Sequence, residues 1–237
     1  MADHQNPLLV TGSYDRSIKF WMTTVPSWDT SKTIDIPEDQ VVYRLKISAD
    51  KKYLACATSK GIKLYDVTEE SSTSFKGEVD YGCNCTAVGF RGDSEWLYGS
   101  GEDGTLRVHD IKLNGSEIVY TNDSPINDVV ISHSNSELIA GDEAGRLIIY
   151  DLVARKEKVQ KTPNQQAEIG IRSVAISSMN KNNEDKYICA ADSSGCVYVW
   201  KITKPKEGEG SLDLTFFSKF QAHSDYILRC AISYNNT

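Results

Sequence analysis

A short strand ending in an aromatic and a polar residue recurs five times along this chain, as SIKFWM, GIKLYD, TLRVHD, RLIIYD and CVYVWK. The copies end at Met22, Asp66, Asp110, Asp151 and Lys201, which are 44, 44, 41 and 50 residues apart. A period of roughly 40 to 45 residues constrains the fold strongly, because each repeat must be one supersecondary unit that buries its faces on its neighbours. The longest interval contains one polar run, Asn180–Asp185, and a second, Lys204–Ser211, follows the last copy; both read as loop insertions.

Each copy follows a small-residue strand and turn, VTGSYD, ACATSK, YGSGED, IAGDEA or CAADSS, and the two together read as a hairpin. Upstream lies a further strand, visible as YRLKIS, TAVGF, NDVVIS, RSVAIS and LRCAIS. Downstream comes a looser polar one, such as EIVYT or DLTFFSKF. Four short strands per repeat and no amphipathic helix make an all-β propeller, whose blades stack face to face around a channel. Trp21, Tyr65, Tyr150 and Trp200 share one repeat position and are expected between blades. His109 takes that position in the third copy, where a lone histidine reads as structural rather than as a base or a ligand.

Composition narrows the function. With 40% hydrophobic and 25% charged residues among 237, the chain is globular rather than disordered. A net charge of -7 opposes general attraction to a phosphate backbone, so no nucleic-acid partner is expected. The N-terminal MADHQNPLLV has too short an apolar run for a secretory signal, and no stretch approaches the ~18 apolar residues of a membrane span. The chain reads as cytosolic, without direct membrane insertion, and would reach endomembranes through partners. Six cysteines lie mostly in apolar runs, and the Cys83-x-Cys85 pair lacks the further ligands zinc needs, so no metal is expected. Gly99 to Gly104 formally matches G-x-G-x-x-G, but a strand follows where a phosphate-binding helix should start, so it reads as a hairpin turn and no cofactor is expected. Neither G-x-S-x-G nor H-E-x-x-H occurs, and one of only four histidines, His4, falls at the terminus, so no catalytic residue is assigned.

These features resemble the WD-repeat family, whose repeats carry Gly-His near the start, Asp in the turn before the third strand and Trp-Asp at the end. Asp15 and Asp103 occupy the turn position, Asp142 and Asp192 stand two residues earlier in their copies, and Ser59 stands in the second. Ala222-His223 is the match to Gly-His. The resemblance implies that these residues form a structural hydrogen-bond network. Four stretches look more specifically like the small G-protein-β-like subunit of target-of-rapamycin kinase complexes. They are GSYDRSIKFW, AVGFRGDSEWLYGSGEDGTLRVHD, SPINDVVISHSNSELIAGDEAGRLIIYDL, and GCVYVWKI followed by FQAHSDYILRCAIS. The likeness runs through most of the chain in order and spacing. It implies a non-catalytic scaffold that binds a phosphatidylinositol-kinase-like protein kinase, with its complex subunits, and supports the active kinase conformation.

That family has about seven blades, within the usual range for propellers. Counting strands, residues 1–237 supply a first blade from its second strand on, four full blades and one strand of a sixth, as one domain. A piece of such a ring, or a shortened relative, is expected to expose two apolar blade faces and an unpaired edge. Recognition is expected at the rim where fourth-to-first strand loops meet the channel. Tyr43, Asn84, Asn127, Arg172 and Tyr226, at or just before the first strands, are the candidate partner contacts. Tyr43 and Tyr226 read equally well as packing between blades. Two other functions stay open: a general WD-repeat adaptor in ubiquitin-ligase, signalling or chromatin complexes, and a propeller enzyme acting at its channel.

Overall fold

The computed structural model describes residues 8–24, 27–37, 39–68, 73–92, 94–112, 115–163, 169–177, 187–203 and 213–233. His4 and the two expected insertions, Asn180–Asp185 and Lys204–Ser211, lie outside them. The described residues are all β or irregular, in five antiparallel sheets that follow one another in sequence. No described helix is long and apolar enough to cross a membrane.

The first sheet holds β1 (Leu8–Gly12), β2 (Ser17–Thr24) and β3 (Ser27–Asp35). The second holds β4 (Val42–Ile47), β5 (Tyr53–Thr58), β6 (Gly61–Asp66) and β7 (Ser74–Asp80). In the third are β8 (Cys85–Phe90), β9 (Trp96–Gly101), β10 (Thr105–Asp110) and β11 (Gly115–Thr121). The fourth has β12 (Ile126–Ile131), β13 (Glu137–Asp142), β14 (Leu147–Asp151) and β15 (Lys156–Lys161). The fifth has β16 (Ile171–Ile176), β17 (Tyr187–Asp192), β18 (Cys196–Thr203) and β19 (Asp213–Gln221). Strands pair in chain order within each sheet, and the first strands β4, β8, β12 and β16 contact one another in succession, lining the inner side. The Gly99–Gly104 segment is the β9–β10 hairpin.

The core is a series of layers between consecutive sheets. Ile18 and Phe20 meet Val42, Leu54, Cys56 and Tyr65 between the first and second. Successive residues of β13 face opposite layers: Leu138 and Ala140 join the layer against the third sheet, and Ile139 joins the layer against the fifth. That is the period of two of an extended strand applied to a sheet covered on both sides. The outer strands β7 and β11 are largely exposed, which explains their polar sequences.

Small residues in the second strands are required by this stacking. A Cβ on Gly141 would sit 2.3 Å from Ile171 Cγ2, and one on Gly12 2.5 Å from Val42 Cγ1. Each of these contacts is with the first strand of the next sheet.

At the shared aromatic position, Tyr65, Tyr150 and Trp200 are buried in the layers, and Trp200 stacks on Tyr198 with ring centroids 6.1 Å apart. Trp21 is half-buried and donates from Nε1 to Thr11 Oγ1 at 2.8 Å. His109 is buried with its Nε2 3.0 Å from the Tyr81 hydroxyl, while the Arg107 guanidinium lies 4.1 Å over the Tyr81 ring. No hydrogen-bond partner of His109 Nδ1 lies among the described residues.

The turn aspartates act alike from two positions. Asp15 accepts from the Ser17 N–H at 2.9 Å and Asp103 from the Thr105 N–H at 3.0 Å. Asp142, which stands two residues earlier, accepts from the Arg146 N–H at 2.7 Å, and Asp192 from the Cys196 N–H at 3.0 Å. In all four turns the donor follows a residue in the left-handed region, Arg16 (φ 70°), Gly104 (φ 77°), Gly145 (φ 79°) or Gly195 (φ 85°), so the carboxylate caps the same bend. In the second repeat Thr58 rather than Ser59 lies inside the turn, its hydroxyl accepting from the Lys60 N–H and donating to the Gly61 carbonyl. Ser59 instead accepts from the Val41 N–H.

His223 is exposed and engages through its backbone, donating to the Gly195 carbonyl at 3.2 Å and accepting from Gln221 Nε2 at 2.6 Å. No turn aspartate of its own repeat lies among the described residues. The LRCAIS segment, expected as the first strand of a sixth blade, carries no strand ladder because no second strand lies beside it among the described residues. It runs against the fifth sheet, where the Cys230 N–H donates to Ser173 Oγ at 3.2 Å.

Two stability outcomes follow from these contacts. Asp192 is buried and also accepts from the Ser194 N–H and from the Tyr198 hydroxyl at 3.0 Å. Asp192→Ala leaves several donors unmet, so urea unfolding should show a loss of about 3 kcal/mol, clearly larger than that of exposed Asp15→Ala. Equal losses would contradict a role for burial and for the further donors on Asp192. Burial, followed by the Arg107 charge, holds His109 down at about 4. The unfolded imidazole takes up its proton near 6.5. Stability lent by neutral His109 is therefore complete above that value and disappears as pH falls toward 4, to a total of roughly 3 kcal/mol. Melting curves between pH 7 and 4.5 should slope less in His109→Phe than in the parent, and identical slopes would refute the assignment.

Candidate protein-docking site

In the second to fifth sheets the ladder between first and second strands slips by one residue at the same place. The shifts fall between Val42 and Arg44, Cys85 and Ala87, Ile126 and Asp128, and Ile171 and Ser173. A bulge leaves one residue unpaired and re-aims its side chain. The unpaired residues are Tyr43, Thr86, Asn127 and Arg172, and all four line one cavity of about 470 Å³ at the mouth of the channel.

All five positions expected from the sequence, Tyr43, Asn84, Asn127, Arg172 and Tyr226, meet in this cavity. Three of them are not equivalent to the other two, however. Tyr43, Asn127 and Arg172 are bulge residues, whereas Asn84 and Tyr226 stand just before the positions of Cys85 and Ile227. The cavity also takes in Thr86 and Leu228, together with Arg44 and the turn residues Glu102 and Ser193, which repeat counting did not single out. Tyr43 and Tyr226 are 38% and 56% exposed, so both face the mouth rather than filling a layer between sheets. Leu228 is 73% exposed, and Tyr14 sets its ring edge-on to Tyr43 at 5.7 Å. Partial burial, then the neighbouring Tyr14 and Glu102, push the Tyr43 hydroxyl above its ordinary value, which keeps it a neutral donor.

Polar contacts hold the wall in shape. Glu143, in the β13–β14 turn, accepts from Arg172 Nη2 at 2.9 Å and from Asn127 Nδ2 at 2.7 Å. Asn127 Nδ2 also donates to the Ile171 carbonyl at 2.9 Å, tying the fourth sheet to the fifth. Below the mouth, Arg44 of the second sheet ion-pairs with buried Asp128 of the fourth. The Asp128 carboxylate further accepts from Ser173 Oγ at 2.9 Å and from the Val174 N–H at 3.0 Å, both in the fifth sheet. One carboxylate thus joins three sheets in the throat. Nothing local in the sequence names an arginine 84 residues away as the partner of Asp128.

Among the described residues that line the cavity there is no histidine, cysteine or lysine. Its chemistry is that of aromatic contact, hydrogen bonding and ion pairing. Tyrosine and arginine at a partly desolvated centre are the side chains that most often anchor protein interfaces.

Comparison with known proteins adds the family. The profile described as "WD domain, G-beta repeat" matches residues 2–22 and 69–110. Target of rapamycin complex subunit wat1 of Schizosaccharomyces pombe is 34% identical over 229 residues, 95% of this chain and 68% of that protein. Target of rapamycin complex subunit LST8 of Saccharomyces cerevisiae is 33% identical over 228 residues, 95% of this chain and 70% of that protein. LST8-1 of Arabidopsis thaliana is 32% identical, with 95% and 70% covered. Among solved structures, the Cps50 (Swd1) β-propeller domain of Myceliophteria thermophila superposes with a TM-score of 0.72 over 90% of this chain and 69% of that one. At 13% identity that likeness is one of fold alone. With identity above 30% to relatives such as these over nearly its whole length, the chain belongs to the LST8/wat1 family of WD-repeat propellers.

Proposed function

We propose that the chain is a non-catalytic scaffold subunit of a target-of-rapamycin kinase complex, working in the cytoplasm and docking its channel-mouth face on the kinase. The observation that carries this reading is the convergence of Tyr43, Asn84, Asn127, Arg172 and Tyr226, from successive repeats, on one cavity whose wall is already fixed by its own hydrogen bonds. That relatives are named as subunits of target-of-rapamycin complexes supports a partner within such a complex.

The physical role is selective binding. A scaffold favours an active kinase conformation only by as much as it binds that conformation more tightly than the inactive one. A tenfold preference shifts the balance by about 1.4 kcal/mol, and a rigid face spends little of that on its own ordering. Chemistry on the substrate stays with the kinase. The propeller contributes Tyr43, Tyr226 and Leu228 as contact area, and Arg172 with Glu143 as an ion pair accessible enough to exchange partners.

Affinity purification of the tagged full chain from its own cells, with mass spectrometry, tests this. A giant phosphatidylinositol-kinase-like protein should be recovered, and Tyr43→Ala combined with Tyr226→Ala should lower its recovery about tenfold or more. The two side chains are partly exposed, so the melting temperature of the variant should stay within about 2 °C of the parent. Recovery of only ubiquitin-ligase or chromatin subunits, or undiminished kinase recovery by the double variant, would overturn the reading.

A further inference from the structure

We propose that Glu102 is the socket for an arginine side chain of the docked partner, a role that rests on the channel mouth being the docking face. The repeat itself shows what an acid at this place takes. Ser59, Glu102, Glu143 and Ser193 each follow directly on the second strand of their sheet. In each, the backbone N–H donates to the carbonyl of the residue just before the first strand of the same sheet, Val41, Asn84, Pro125 or Gly170, at 2.9 to 3.2 Å. The four positions are therefore equivalent, and two of them carry an acid.

Glu143 finds its partners within the chain. Arg172, from the bulge of the next sheet, donates to its Oε1 at 2.9 Å, and Asn127, from the bulge of its own sheet, donates to its Oε2 at 2.7 Å. Glu102 has neither. The bulge residue of its next sheet is Asn127, whose amide is committed to Glu143 and to the Ile171 carbonyl. The bulge residue of its own sheet is Thr86, whose hydroxyl donates to the Ile126 carbonyl and lies 2.8 Å from Ser100 Oγ. Among the described residues the Glu102 carboxylate makes no hydrogen bond and no ion pair. The acid that an arginine neutralises in the fourth sheet thus stands unneutralised in the third.

Charge at the mouth points the same way. The charged residues lining the cavity are Arg44, Glu102 and Arg172, of which Arg44 is paired with Asp128 and Arg172 with Glu143. Asp103, next to Glu102, is paired with Arg107. Arg229 has no ion pair among the described residues, but it answers to the charges of Arg44 and Asp128 in the throat and does not line the cavity. The charge left at the mouth is that of Glu102, and it calls for a cation. Tyr43 lies close enough for the Glu102 charge to act on its hydroxyl, and its partly exposed ring offers a face on which a planar guanidinium stacks. An ammonium would gain less, since only the guanidinium fork meets both carboxylate oxygens at once.

The test uses the purified full chain and N-acetylarginine methylamide, followed by two-dimensional amide NMR. Saturable movement of the Glu102 and Asn84 signals is expected. The uncharged citrulline analogue should bind at least about tenfold more weakly, because it makes no charge-assisted hydrogen bond, and the lysine analogue should also bind more weakly than arginine. Glu102→Gln should bring the arginine and citrulline analogues level. Glu102 is exposed and unpaired, so the melting temperature of the variant should match that of the parent. Absence of a saturable shift, equal binding by the parent and Glu102→Gln, or equal binding of the arginine analogue and either control would each overturn the socket. Kinase recovery is the second arm, and Glu102→Gln should lower it about tenfold. If the variant recovers as much kinase as the parent, the socket fails and the docking reading stands. If the parent recovers none, the docking reading fails, and the NMR titration still decides whether Glu102 takes a guanidinium.

Discussion

A four-stranded sheet that is apolar on both sides cannot be stable on its own, and everything else in this molecule follows from how the sheets cover one another. Alternation along a single strand sends Leu138 to one neighbour and Ile139 to the other, so each strand contributes to two layers at once. Burial at roughly 25 cal/mol per Å² of apolar surface is the main favourable term, and it is gained only if the sheets approach closely. Gly12 and Gly141 permit that approach. Because each sheet is held by its neighbours, a defect in one layer is felt by two sheets and then attenuates, as in other repeat proteins.

Close stacking brings polar groups of the inner strands into a poorly hydrated throat, where they need partners. Asp128 meets this by collecting donors from three sheets, Arg44 from the second, its own neighbour Val129 in the fourth, and Ser173 and Val174 in the fifth. A buried ion pair of this kind is weak evidence for stability, since its desolvation offsets much of its attraction. Its geometric effect is clearer: it fixes where the second, fourth and fifth sheets sit relative to one another. The cavity at the channel mouth lies directly above, so the spacing of its contact residues is set by the charge pair beneath them.

The strand order, the hairpins and the convergence of Tyr43, Asn127 and Arg172 are legible in the repeat, because these depend on period and on turn chemistry, which are local. The turn aspartates show how a local reading can be incomplete. Asp142 and Asp192 looked displaced from the position of Asp15 and Asp103, yet all four carboxylates reach the N–H that follows a left-handed residue. Geometry is shared where sequence position is not. Thr58 was hidden for the same reason, since a hydroxyl inside the turn leaves no acidic mark in the sequence. The pairing of Arg44 with Asp128 depends on a contact between different repeats, which periodicity within a repeat does not specify.

Quasi-symmetry also poses a problem of orientation. A partner meeting a ring of equivalent backbone positions has no reason to prefer one rotation over another unless those positions differ in chemistry. Here they differ: the bulge carries tyrosine in the second sheet, threonine in the third, asparagine in the fourth and arginine in the fifth. The backbone repeats, and the side chains do not. A repeated bulge therefore aims four unlike groups at one cavity, aromatic on one side and charged on the other, which is the kind of difference by which orientations of a partner can be told apart. Specificity in this fold arises where the repeat is broken, on a frame whose rigidity comes from the repeat being kept.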